Sequence, residues 1–185
     1  QLREVEVNRP THVFVQAGVG SLAGGVVGYF ANLYPNNPPK FIVMEAGAAD
    51  CLYKGAEAGD GEPRIVGGDL QTIMAGLACG EPNTIGWDIL RNHVSAFISC
   101  PDWVSAKGMR MLAAPVKGDP SVTSGESGAV GMGVISSIMT DDTYKELREA
   151  LELDNSSQVL MFSTEGDTDP DKYKKIVWGG EYPTV

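Results

Sequence analysis

Short apolar runs, each closed by glycine, proline or a polar cluster, punctuate the chain from Thr11 onward. Residues 11–16 are β-branched and aromatic and stop at Gly18, which predicts a buried strand. Residues 22–34 are apolar on every side and read as a buried helix, with Gly24 and Gly28 marking close packing. Pro35, Asn36, Asn37, Pro38 and Pro39 form a loop. Residues 41–44 are the next strand, ending at Glu45. Residues 48–58 predict a helix, stopped by Gly59, Asp60 and Gly61. Beyond this the pattern predicts a short apolar helix over 72–79, an amphipathic helix over 87–93, a strand over 96–99 and a helix from Pro101 to about Ala113. An apolar helix over 130–139, a charged surface helix over 144–153 and a buried strand over 158–162 follow. The tail, with Pro170 and Lys172, reads as polar.

Strand, helix, strand, helix with short connections implies an α/β fold: a three-layer parallel sheet with helices on both faces. Three strand ends, 16–24, 45–50 and 163–167, carry small or polar residues. Ligands bind outside the carboxyl ends of strands in such sheets, so these segments are expected to face one crevice.

Composition sharpens the picture. The 185 residues can bury one sizeable core, and 43% apolar with 21% charged residues is ordinary for a soluble domain. A formal charge of −10 with no basic cluster argues against nucleic acid or an anionic membrane as partner. Any anion site must then be built from backbone groups. The uncharged stretch 13–39 is split by Gln16, Ser21, asparagines and glycines into pieces too short to span a bilayer. Cys51, Cys79 and Cys100 form neither a disulfide framework nor a zinc motif, and reduced thiols are expected. The charged start at Gln1, Leu2 and Arg3 reads as the middle of a longer polypeptide.

The chemistry centres on Gln16-Ala17-Gly18-Val19-Gly20-Ser21-Leu22-Ala23-Gly24. A glycine turn between strand and helix points backbone N–H groups and the positive helix end at one place, which suits a phosphate. Gly18 to Ala23 fits G-x-G-x-x-G/A, and Glu45 stands where a ribose-binding acid would sit, so a dinucleotide is one reading. Pyridoxal phosphate is another: the loop would hold the phosphate, and Ser163 or Thr164 would meet the ring nitrogen as a neutral hydroxyl. Tight packing without a ligand is the third. Taken singly, Ser163 reads as a turn residue and Glu126 as a helix cap. His12 and His93 read as structural, and Trp87, Trp103 and Trp178 as packing anchors.

Taken together, several runs resemble the C-terminal half of fold-type II pyridoxal-phosphate enzymes, the tryptophan synthase β-subunit group, and within it the diaminopropionate ammonia-lyase branch. They are residues 14–20, 49–53, 72–82, 98–104, 124–131 and 162–169, and they cover nearly the whole chain. The resemblance implies pyridoxal phosphate as cofactor, with Gly18, Val19, Gly20, Ser21, Leu22 and Ala23 at the phosphate. Ser163 would face the pyridine nitrogen, with Thr164 as its rival, and Glu126 would lie near the ring. It implies α,β-elimination of 2,3-diaminopropionate, a small amino-acid substrate, to pyruvate and ammonia by a cytoplasmic homodimer. A threonine/serine dehydratase-like lyase is the alternative, an NAD-binding Rossmann oxidoreductase a further one, and a self-associating structural domain the non-enzymatic one.

The resemblance also implies absences. Relatives such as serine racemase hold a divalent cation at positions matching Glu45, Ala49 and Cys51. A thiol is not a hard oxygen ligand, so no metal is expected. Cys51 and Cys79 match a cysteine pair that is bridged in some members, and their state is left open. The Schiff-base lysine lies in the N-terminal half of the family, so no catalytic residue is expected among 1–185, which would form mainly the large cofactor domain. The isolated chain is expected to be inactive.

Overall fold

A computed structural model describes residues 9–184; the charged start at Gln1 lies outside the described residues. Four strands, β1 (His12–Gln16), β2 (Lys40–Ala46), β3 (Ala96–Cys100) and β4 (Val159–Met161), form one parallel sheet in the order β3-β2-β1-β4. The seven helices among the described residues are α1 (Ser21–Leu33), α2 (Cys51–Ala58), α3 (Thr84–His93), α4 (Asp102–Ala113), α5 (Val130–Thr140), α6 (Lys145–Leu151) and α7 (Pro170–Val177).

Strand periodicity splits β1 and β2 between two cores. Val13, Val15, Phe41 and Val43 pack against Ala23, Val27 and Phe30 of α1, Leu52 of α2, and Trp87 and Leu90 of α3. Phe14, Ile42 and Met44 pack against Val104 and Met109 of α4, Val130, Val134 and Ile138 of α5, and Ile176 of α7. The helices therefore cover both faces, as the three-layer reading requires. Both central strands are buried on both sides, which explains why they read as continuous apolar runs.

The chain runs outward from β1 through β2 to β3 and then returns to the other side of β1 as β4. The direction reverses at β1, so the carboxyl ends of β1 and β4 separate around a crevice.

The structure differs from the sequence reading in several places. Residues 72–79 form only a short 3-10 turn at Ala75–Leu77. Asp102 explains this: its carboxylate accepts the Thr72 hydroxyl at 2.5 Å and the Ile73 N–H at 3.2 Å, tying the start of the segment to the first residue of α4. Residues 48–58 divide into a 3-10 turn, Gly47–Ala49, and α2. Strand β4 is half-buried at the sheet edge rather than buried. The tail contains α7, capped by Asp169, whose carboxylate accepts the Lys172 N–H at 3.1 Å, with Pro170 at its first position. Trp87 is a core anchor at 3% exposure, whereas Trp178 is 80% exposed, with the Lys174 ammonium over its ring. His12 is structural as expected, its Nε2–H donating to the Leu151 carbonyl at 2.8 Å.

Candidate functional site

The β1–α1 turn needs a left-handed residue before the helix, and Gly20 supplies it at φ 90°. Beyond it α1 starts without a side-chain cap. Among the described residues, no acceptor meets the N–H groups of Gly18, Val19, Gly20, Ser21, Leu22 and Ala23. The turn is held from behind by its carbonyls instead: Asn83 N–H donates to Val19 O at 2.7 Å and Gly24 N–H to Gly20 O at 2.8 Å. Donors thus face outward while acceptors face the core.

A cavity of about 340 Å³ opens in front of this turn, in the crevice between β1 and β4. Gly18, Val19, Gly20, Ser21 and Leu22 line it, opposite Thr164 and Glu165 beyond β4. Ala23 does not; its side chain is fully buried under the sheet, and only its backbone belongs to the first turn. Among the described residues, no lysine, arginine or histidine lines the cavity. An anion there meets backbone N–H groups and the start of a thirteen-residue helix, which is the site a chain with this charge must build. These residues fit a phosphate monoester.

The other wall is stitched from two loops. Gly125 N–H donates to the Glu165 carbonyl at 3.1 Å, and Ser127 N–H to the Glu165 carboxylate. Gly76 N–H in turn donates to Ser127 Oγ at 3.2 Å. Glu165 lines the cavity within the 163–167 segment expected at the crevice, whereas Gly76, Leu77 and Ser127 line it with no role assigned from sequence beyond the runs that contain them. Thr164 also lines it, and its Oγ1 accepts from Gln16 Nε2 at 2.9 Å. Ser163 and Thr164 both stand on exposed chain past β4 rather than at a buried strand end; Ser163 lies off the wall, with its Oγ 2.9 Å from Ser124 Oγ. Glu126 also lies off the wall. Its Oε1 sits 3.2 Å from Lys172 Nζ, close enough for an ion pair but not aligned as a hydrogen bond, while Lys172 donates to the Ile73 carbonyl at 3.2 Å. The tail helix, unseen in the sequence, thus pairs with the acid expected at the ring.

The third strand end, 45–50, does not join this crevice. Glu45 is fully buried, and its carboxylate accepts Leu52 N–H at 2.9 Å and Tyr53 N–H at 2.6 Å at the start of α2. That use removes the ribose-binding acid of the dinucleotide reading. No group of three or more His, Cys, Asp or Glu side chains that could hold a metal ion occurs among the described residues. All three cysteines are free thiols, Cys51 Sγ lying 3.7 Å from both Glu45 Oε1 and the Cys79 carbonyl. Burial, with the Glu45 charge adding to it, pushes the Cys51 thiol up to about 12.

Burial also pushes the Glu45 carboxyl up to about 8, against the pull of the two N–H groups. The folded state therefore keeps a proton that an unfolded Glu, near 4.5, has released. Stability is then expected to fall as pH rises from about 5 to about 8, by at most about 1.4 kcal/mol per pH unit, and to level off above. Thermal melts across that range test this. Glu45→Gln should flatten the slope, and a wild-type melting temperature that rises between pH 5 and 8 would refute it.

The model for the family "Pyridoxal-phosphate dependent enzyme" matches residues 1–165. Diaminopropionate ammonia-lyase of Salmonella typhimurium is 52% identical over 181 residues, covering 97% of this chain and 45% of the relative. The crystal structure of the Escherichia coli diaminopropionate ammonia-lyase with an aminoacrylate-PLP azomethine reaction intermediate superposes at TM-score 0.87 and 49% identity, covering 98% of this chain and 45% of that one. The same enzyme with D-serine gives 0.90 and 46%, covering 100% and 45%. Maize serine racemase, at 20% identity and TM-score 0.71 over 97% of this chain and 50% of that one, shares the fold. The chain spans about 45% of the length of the curated relatives it matches.

Proposed function

Because the chain belongs to the family of pyridoxal-phosphate dependent enzymes, we propose that its glycine turn holds the phosphate of that cofactor and that the complete protein eliminates ammonia from 2,3-diaminopropionate to give pyruvate. The observation that carries the reading is the row of N–H groups from Gly18 to Leu22, which have no acceptor among the described residues and belong to residues lining the cavity between β1 and β4. When bound, pyridoxal phosphate supplies an electron sink for the pair left at the substrate α-carbon.

This chain's own residues bind and orient. The N–H groups of Gly18 to Leu22 and the dipole of α1 take the phosphate without a basic side chain. A hydroxyl of the 163–164 pair donates to the ring nitrogen; a neutral donor leaves that nitrogen without a formal charge, unlike an aspartate. Ser127 and Glu165 close the opposite wall. None of the eight lysines lines the cavity, so the covalent lysine is assigned to the rest of the protein, as are the groups that move the substrate protons. Glu126, turned toward Lys172, acts on the ring only through the loop it anchors.

The dehydratase-like alternative has only fold likeness behind it, to threonine deaminases at 18% and 16% identity, whereas the ammonia-lyase reading has relatives near 50%. A homodimer in the cytoplasm completes the reading; no helix among the described residues is long and apolar enough to cross a membrane.

Titrating the full-length protein with pyridoxal phosphate should produce a bound visible band, and addition of diaminopropionate should release pyruvate, followed with a coupled dehydrogenase. A full-length protein that takes up no cofactor would end the proposal. Uptake with turnover of threonine but not of diaminopropionate would move it to the dehydratase alternative.

A further inference from the structure

We propose that Lys172 is a positioning residue for the wall opposite the glycine turn: its ammonium compensates the buried Glu126 carboxylate and so holds the loop 124–128, which carries Ser127, closed against the cavity. The inference rests on the cofactor reading above and deepens it, because it makes the tail helix part of the site.

The loop is the reason a tether is needed. Residues 124–128 form no helix or strand, yet all five are buried. Buried backbone outside regular structure must take its partners from other elements. Helix α4 supplies one, the Ser105 hydroxyl donating to the Glu126 carbonyl. Glu165 supplies two acceptors, its carbonyl for Gly125 N–H and its carboxylate for Ser127 N–H. These fix the main chain. The Glu126 side chain keeps a charge at 8% exposure, and its Oε1 accepts no hydrogen bond among the described residues. The one cation among them within ion-pair reach is Lys172, at 3.2 Å.

Lys172 reaches the wall twice. Its Nζ also donates at 3.2 Å to the carbonyl of Ile73, whose N–H is held by Asp102. Ile73 shortly precedes Gly76, and Glu126 directly precedes Ser127; Gly76 and Ser127 line the cavity and bond each other at 3.2 Å. One ammonium therefore sits behind both segments of this wall. Its place in α7 supports a role outside the helix. Lys172 is in the first turn, where the helix dipole disfavours a cation, and the Asp169 cap fixes its backbone N–H at 3.1 Å. An acid would suit the helix better there; the wall needs the counter-charge.

Without Lys172 the wall contains a buried carboxylate with no partner. Glu126 must then turn toward water, and Ser127 moves with it. The test measures pyridoxal phosphate binding to the full-length protein by equilibrium dialysis, with fold checked by circular dichroism. Lys172→Met should weaken binding by about tenfold, less than a fully enclosed pair would give because the lysine side chain is 33% exposed. Lys172→Arg, which keeps the charge, should stay within about threefold of wild type. Lys175→Met, the same loss of charge at an exposed position of α7, should change nothing. The deciding protein combines Lys172→Met with Glu126→Gln. Removing the stranded carboxylate should return binding to within about threefold of wild type, whereas a lysine that served only packing would leave the double variant as weak as Lys172→Met. Inorganic phosphate, which spans only the glycine turn, should bind wild type and Lys172→Met alike. Should Lys172→Met fail to fold, Lys172→Gln, which keeps a donor for the Ile73 carbonyl, takes its place under the same expectations.

Wild-type affinity in Lys172→Met, an equal loss in Lys175→Met, no recovery in the double variant, or an equal loss of inorganic phosphate binding overturns the inference and leaves the cofactor reading standing. A wild type that takes up no pyridoxal phosphate overturns both, and so the two failures are distinguishable.

Discussion

Replacing Gly20 with valine is expected to lower retention of pyridoxal phosphate by the full-length protein by at least about tenfold, with Gly20→Ala intermediate and Gly20→Asn mildest. The order follows from the backbone. Gly20 sits at φ 90°, where an L-residue costs about 1–2 kcal/mol, a β-branched one more, and asparagine least. A Cβ there would also stand 3.2 Å from the methyl ends of Leu52 and Leu90. Those ends can yield, so the fold should survive. The turn relieves its strain by rotating peptide units, and the N–H groups then lose their common aim. About 1.4 kcal/mol of misalignment is a tenfold change in affinity. Dialysis against free cofactor measures the ratio; a Gly20→Val protein that holds pyridoxal phosphate as wild type does would sink the loop assignment.

The second large effect is on stability. Gly133→Ala is expected to cost about 3 kcal/mol or more, seen as a melting temperature about 6–12 °C lower. Helices α4 and α5 cross so closely that a Cβ on Gly133 would lie 1.9 Å from the Val104 carbonyl oxygen, and one on Gly108 would lie 2.0 Å from that of Ala129. Both obstacles are backbone, which no rotamer change removes, so the helices must part and open the core around Val104, Met109 and Val130. Gly25→Ala on the exposed side of α1, with nothing within 4 Å, is the control. It should be neutral or stabilising by up to about 1 kcal/mol, because alanine is the better helix former. Equal melting temperatures for Gly133→Ala and wild type would show that the α4–α5 contact is looser than described.

These two glycines mark what a sequence can disclose. Gly20 was legible as chemistry because a strand, a glycine turn and a helix in direct succession make one local demand on the backbone, and no distant residue is needed to read it. Gly133 was legible only as part of an apolar helix; the reason for it is a carbonyl on another element. Residues 72–79 misled because apolar residues near helical spacing also suit an irregular buried segment, and the Asp102 carboxylate that ties it down is thirty residues away. The tail misled for the opposite reason: one buried side chain, Ile176, is too little apolar signal to announce α7.

What the sequence by itself determined is the four strands and most of the helices between them, the two-faced burial of β1 and β2, and a glycine turn between β1 and α1. Each is set by residues adjacent or one period apart. The tertiary structure alone decided how the polar side chains are used. It turned Glu45 into a support for α2, drew Glu126 to Lys172, and brought Gln16 to Thr164 across 148 positions of sequence. A carboxylate or an amide has several possible partners, and only the folded chain selects among them, because the energy of a buried polar group depends on which partner stands within about 3 Å of it.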